Sequence, residues 1–224
     1  MAKTQVNEDF ISCKVSPEEL DELLAKGWRH FGIYFFRYSL VYHENKLYHV
    51  LPLRIRLEKF KLSKSLRRIL RKNSDLEHKI HPVKIGSEEV VLFEQHKTRF
   101  KRNPPNSIYD FICPISSVPC QVMQLSVFLN KKLVACSFFD VGLESVSSIY
   151  AMFDLNQSKR SLGIFTMLLE INFAVESKKK FFYQGYAYKE KSFYDYKKRF
   201  HAVEAYDWNS GEWKELNQRE LLEL

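Results

Sequence analysis

The stretch 158–177 constrains this chain more than any other. Its apolar residues fall on nearly every face of a helix, a pattern that suits a helix covered on both sides. Strand-like runs surround it: 122–128 and 133–140 joined by a turn at Asn130 and Lys131, a third at 147–153, and a fourth at 181–188 after the helix. The order is hairpin, strand, buried helix, strand. That order predicts an α+β fold, a mixed sheet whose central helix connects two neighbouring strands.

Upstream the chain changes character twice. Ser16, Pro17 and Glu19 form the start of a short amphipathic helix over about 17–26, with Leu20, Leu23 and Leu24 on one face and Gly27 as its left-handed stop. Aromatic and β-branched residues over 28–55, broken at Glu44, Asn45 and Lys46, predict successive strands. Between Lys59 and Lys72 lie seven basic residues and no acid, while Leu62, Leu66, Ile69 and Leu70 keep an apolar stripe. A basic helix docked on a core is the expectation. Another helix is read over about 86–101, ended by Asn103, Pro104, Pro105 and Asn106 and followed by a helix or loop to Pro119. That break divides an N-terminal module, 1–104, from a C-terminal one, 105–224.

Composition narrows the function. With 224 residues, 45% hydrophobic and 28% charged, the chain can bury a core without disulfide or metal staples. No apolar run approaches about 18 residues and the first residues carry no apolar leader segment, so neither a membrane span nor a secretion signal is expected. A formal charge of +8 favours polyanionic partners, nucleic acid first. Cys13, Cys113, Cys120 and Cys136 have no C-x-x-C spacing and read as reduced cytoplasmic thiols. His43, His49, His78 and His81 lack ligand spacing, so no metal and no cofactor is expected. P-loop, G-x-S-x-G and G-x-G-x-x-G motifs are absent, which removes the common NTPase, hydrolase and dinucleotide readings.

Three clusters could carry chemistry. The loop 156–163 opens the central helix, where free amides and the helix dipole favour an anion beside Lys159, Arg160, Ser161 and Gly163; a helix cap by Ser158 or Ser161 with two solvated cations is the plainer reading. Lys59, Lys64, Arg67, Arg68 and Arg71 could face the phosphates of a structured RNA, or simply water. Lys197 and Arg199 follow Phe193 and Tyr194 and lie near Tyr186 and Tyr188, a pattern that stacks a base, shapes a pocket or merely fills a core. His30, beside Trp28 and Arg29, could line the same pocket or be an ordinary half-buried histidine.

The words of the sequence then match a family. GWRHFG (27–32), FR (36–37), PLRI (52–55) and SLRRILRKN (65–73), followed by SSIYAMFD (147–154), SLG (161–163), LEI (169–171), YQGY (183–186) and DYKKRF (195–200), resemble the ordered motifs of the aminoacyl-tRNA-protein transferases. The resemblance covers most of the chain. It implies a C-terminal GNAT-like acyltransferase domain and transfer of leucine or arginine from charged tRNA to the α-amine of a protein with an acidic N-terminal residue. Under it, Lys59, Lys64, Arg67, Arg68, Arg71, Lys159, Arg160, Ser161 and Gly163 face the tRNA. Lys197, Arg199, His30 and Arg29 read the acceptor, and Tyr150, Phe153 and Tyr186 shape the pocket. A monomer is expected, and no catalytic residue is singled out. One family motif is missing: Tyr38, Ser39, Leu40 and the residues to Asn45 stand where members usually carry a C-x-x-C cluster. The alternatives are an acyl-CoA-dependent N-acetyltransferase of the same fold, against which the loop lacks R-x-x-G-x-G, and a non-catalytic tRNA- or RNA-binding protein.

Overall fold

The computed structural model describes residues 5–43, 45–101 and 103–216. The first four residues and Glu44 of the expected turn therefore lie outside the described residues. In chain order the elements are β1 (Asn7–Ile11), α1 (Pro17–Ala25), β2 (Arg29–Phe31), β3 (Tyr34–Tyr38), β4 (Leu40–His43), β5 (Lys46–Arg56), α2 (Lys64–Lys72), β6 (Glu77–Pro82) and α3 (Ser87–Lys97). Then follow β7 (Val122–Leu129), β8 (Lys132–Val141), β9 (Ser145–Phe153), α4 (Leu162–Glu176), β10 (Phe181–Tyr188), α5 (Asp195–Lys198), β11 (Val203–Asp207) and β12 (Glu212–Glu215).

Local signals account for most starts and stops. Ser16 accepts from the Glu19 amide while the Glu19 carboxylate accepts from the Ser16 amide at 2.7 Å, so α1 begins on a complete capping box. Gly27, with φ of +81°, ends it where other residues would be strained. Asn130 and Lys131 both take positive φ and close the β7–β8 hairpin as predicted. Between α3 and β7, where a helix or loop is expected, the chain is a loop with one short turn, Ile108–Asp110, capped by Ser107.

A small sheet, β1-β3-β2, lies beside a mixed sheet ordered β12-β11-β5-β10-β9-β8-β7-β6, with β4 paired to β5. The sequence predicted the four strands around α4; the large sheet also takes in β5 and β6 from before residue 104 and β11 and β12 from the end. Among the described residues only β9 and β10 run parallel, and α4 is the crossover that this pairing requires. Leu125, Val127, Val146 and Phe139 face α4, which also receives Leu66 of α2, while Phe138, Ile149 and Met152 turn toward Leu92 and Phe93 of α3. The burial of α4 on both sides follows. The helix starts four residues later than its apolar pattern begins, because residues Leu155–Arg160 form a 3-10 turn and Ser161 sits in the left-handed region with φ of 56°.

Candidate functional site

The ladder between β9 and β10 is short. It runs from Phe181 opposite Ser145 to Tyr183 opposite Ser147 and stops, although β9 continues to Phe153 and β10 to Tyr188. Both strands bulge at that point, at Ile149 against β8 and at Gln184 against β5. Bulges bend a strand and free a backbone group. The sheet splits there, and a cavity of about 530 Å³ opens between Tyr150 and Phe153 on one side and Gln184, Tyr186 and Tyr188 on the other.

Charge lines this cavity. Arg29 enters from β2 and is 9% exposed; its Nη2 reaches the carbonyl of the bulged Ile149 at 3.5 Å, and its Nη1 has no hydrogen-bond partner among the described residues. Gly185 makes this possible, since a Cβ there would meet Nη1 at 2.2 Å. Lys197 of α5 donates to the Tyr186 carbonyl at 3.1 Å, with two donors to spare on its ammonium. Burial, with Arg29 nearby, pulls Lys197 down to about 7. Glu170 of α4 is 1% exposed, its Oε2 is unpartnered, and burial pushes it up to about 7 against the pull of Ser137, Ser148, Arg29 and Lys197. The Gln184 Oε1 and the Tyr150 hydroxyl are likewise buried, and none of these three atoms has a partner among the described residues. Buried polar atoms normally find partners, so several orphans on one cavity point to a ligand.

The sequence candidates divide. Arg29, Lys197, Tyr150, Phe153, Tyr186 and Gly163 line the cavity. A Cβ at Gly163 would meet the Phe153 ring at 3.2 Å, so the glycine lets the first turn of α4 settle on that wall. His30 does not reach the cavity: its ring stacks on Phe35, with Nδ1 on the Gly32 carbonyl at 2.8 Å and Nε2 on Asp140 at 2.9 Å. Arg199 is exposed and outside the lining. Glu170 was missed as a candidate, although a lone acid in mid-helix among residues apolar on all faces is a signal of enforced burial.

The basic stripe and the loop before α4 come together. Lys59, Lys64, Arg67, Arg68 and Arg71 are exposed. Asn73, buried after α2, donates to the Arg160 carbonyl at 3.0 Å, and Lys72 bonds the Lys159 carbonyl. Lys159 and Ser161 are exposed, whereas Arg160 is held in a two-pronged pair with Asp75 at 2.8 and 2.9 Å, which neutralises a cation expected to be free. Ser161 makes no side-chain cap, nor does Ser158, which lies in the 3-10 turn. The mouth of the cavity is aromatic: Phe193 is 69% exposed, with the Arg99 guanidinium 4.6 Å over its ring, and Phe100 and Tyr194 stand nearby in the lining.

Two places bear on metal. Tyr38 to His43, at the position of the missing C-x-x-C, hold no thiol and pass from the end of β3 into β4, paired with β5, so the residues present do not fit that cluster. His30, Cys120 and Asp140 place one ligand atom each within 4.8 Å of one another. All three are buried and bonded among themselves, the Cys120 thiol lying 3.4 Å from Asp140 Oδ1. Against the cost of burial, Asp140 and the Gly32 carbonyl hold the His30 pKa above its ordinary value. Their arrangement is that of a core ion pair fastening β2 to β8.

A cavity in a split sheet, lined by buried charges of both signs and approached by a basic surface, suits charged ligands. Comparison with known proteins narrows the class. The family described as "Arginine-tRNA-protein transferase, C terminus" matches residues 88–207. Proteins named aspartate/glutamate leucyltransferase are similar along most of the chain. That of Marinobacter nauticus is 27% identical over 201 residues, 88% of this chain and 81% of its own length. That of Campylobacter jejuni is 28% identical over 81% of this chain and 77% of its own. That of Helicobacter hepaticus is 26% identical over 91% and 85%. Among solved structures, L-PGS from Bacillus licheniformis aligns with a TM-score of 0.49 and 12% identity over 83% of this chain, which spans 55% of that one. The chain belongs to the aminoacyl-tRNA-protein transferase family, and it is a transferase. Among the described residues no helix is long and apolar enough to cross a membrane.

Proposed function

We propose that this protein transfers leucine from charged tRNA to the N-terminal α-amine of a protein whose first residue is acidic. One observation carries the acceptor half: a cavity in which the buried Arg29 Nη1 stands unpartnered beside the Lys197 ammonium. A carboxylate leaving water for such a site needs a cationic partner, and these two cations need an anion. The names of the relatives favour aspartate or glutamate in the acceptor and leucine in the donor. His30 acts through β2, setting Arg29 in place, and Arg199 belongs to the outer surface.

The donor approaches over α2. Its exposed cations Lys64, Arg67, Arg68 and Arg71, with Lys59 before it, suit phosphates, and Lys159 and Ser161 continue that surface to Gly163 at the cavity. Arg160 stiffens the junction through Asp75. The aromatic mouth at Phe193, Tyr194 and Phe100 offers stacking faces to the terminal bases. A crossover helix between parallel strands that then part supports a GNAT-like core, with 1–104 and 105–224 as modules that share one sheet. A tRNA ester is already activated, so holding the amine against its carbonyl supplies much of the rate.

Purified protein given leucyl- or arginyl-tRNA and peptides starting with Asp, Glu, Asn or Ala tests the reading. Leucine on Asp and Glu peptides is expected, with Lys197→Ala erasing much of the preference over Asn. Arginine transfer would refute the donor assignment, and equal use of Asp and Asn the acceptor one.

A further inference from the structure

Glu170 is an acid buried in the cavity beside Arg29 and Lys197, and nothing in the acceptor-carboxylate reading uses it. We infer that Glu170 receives the acceptor's α-ammonium and removes the proton that the nitrogen must lose before it attacks. The inference rests on the cavity being the acceptor site. Its geometry is specific: Glu170 projects from the middle of α4 into the lining, is 1% exposed, and leaves Oε2 without a partner. The groups around it come from several elements: Arg29 from β2, Cys136 and Ser137 from β8, Ser148 from β9, Tyr196 and Lys197 from α5. Two of these are cations with their own use for an anion. An N-terminal acidic residue presents both complements at once, a side-chain carboxylate for Arg29 and Lys197 and, a few ångströms away, an ammonium for Glu170. The Gln184 Oε1, also unpartnered, offers that ammonium a second acceptor.

The step balances. An N–H bond of the ammonium breaks and its proton passes to Glu170 Oε2; the freed lone pair forms the C–N bond at the ester carbonyl. The C–O bond to the ribose then breaks, the ribose oxygen takes the nitrogen's second proton, and Glu170 returns its own to water. A carboxyl held at about 7 by burial is well matched to an α-ammonium near about 8, so the proton moves between groups of similar affinity.

The required pair is ionised Glu170 with protonated amine. Wild-type kcat/KM for an Asp peptide is therefore expected to rise through about pH 7 and to fall above about pH 8. Glu170→Gln, of equal volume, leaves only amine already neutral in solution, so its profile should rise through about pH 8, with a deficit of about 100-fold near pH 7 that shrinks at higher pH. Its affinity for uncharged tRNA should match wild type. A variant deficit that is constant with pH, or absent, overturns the inference. So does an acid limb lost in Lys197→Met but kept in Glu170→Gln. Should Glu170→Gln not fold, the wild-type profile decides alone, since a monotonic rise through pH 8 contradicts the role. A wild type that transfers to no acidic-start peptide overturns the acceptor reading itself.

Discussion

Arg29 and His30 are consecutive residues of β2 whose side chains leave opposite faces of the strand, and they live under opposite rules. His30 enters the core and is fully satisfied: Gly32 on one nitrogen, Asp140 on the other, Cys120 on the far oxygen of Asp140. Arg29 enters the cavity and is left with an open Nη1, as Glu170 is with an open Oε2. One cluster spends its buried charges on holding the fold, and the other keeps them uncompensated for a substrate to complete. A second closed cluster makes the same point: Arg54 of the PLRI motif is bonded to Glu204 at 2.7 Å and stacked between Phe181 and Trp213 at 4.0 and 4.4 Å. Motif residues of this family thus serve both purposes, and only their surroundings tell them apart.

The contrast can be broken from the closed side first, where the effect is largest. Asp140→Asn leaves a buried imidazolium without its counter-ion and is expected to cost about 3–5 kcal/mol in chemical denaturation. The pH dependence has a defined sign. Because the folded state holds His30 above its ordinary value, its contribution is full below about pH 6.5 and is lost as pH rises through the folded value. The gap between wild type and variant should narrow in that direction. A gap that widens with pH would falsify the ion-pair reading.

Gly185→Ala attacks the open side through the backbone. With φ of +87° and a Cβ directed at Arg29 Nη1, it should destabilise by about 1–2 kcal/mol and displace the guanidinium. Acceptor kcat/KM should drop about tenfold while tRNA affinity holds, measured by steady-state kinetics beside a binding titration. Equal losses on both substrates would mean that Arg29 does not serve the acceptor alone.

Reversing Arg67 and Arg71 sharpens the contrast by sparing both clusters. Stability should move by less than about 0.5 kcal/mol, while tRNA affinity falls and the slope of log affinity against log salt flattens by about one per lost phosphate contact. An unchanged slope would remove α2 from the donor surface.

The sequence made local patterns easier to read than long-range ones. The α1 capping box, the Asn130 and Lys131 turn, and the buried α4 with its neighbouring strands are local patterns, and they are present where expected. What escaped is non-local. Pairing of β5 with β10 and β11, and of β6 with β7, joins segments scores of residues apart. Arg160 looked like a free cation because its partner, Asp75, lies 85 residues away. Ser161 breaks the helix by a left-handed turn that its residue type does not announce. Glu170 lies in a helix whose apolar faces already signal its burial, but its open Oε2 and its cationic neighbours depend on what β2 and α5 bring to it.

Arg29 stands where the two uses of β2 part, and one substitution tests both. Arg29→Met keeps most of the length and removes a buried guanidinium whose charge the fold does not satisfy, so stability should stay within error of wild type or rise by about 1–2 kcal/mol. In the same protein, the preference for an Asp over an Asn peptide in leucine transfer should collapse to near unity. A variant that keeps the wild-type preference, or loses it only together with several kcal/mol of stability, would contradict the division of β2 between fold and substrate.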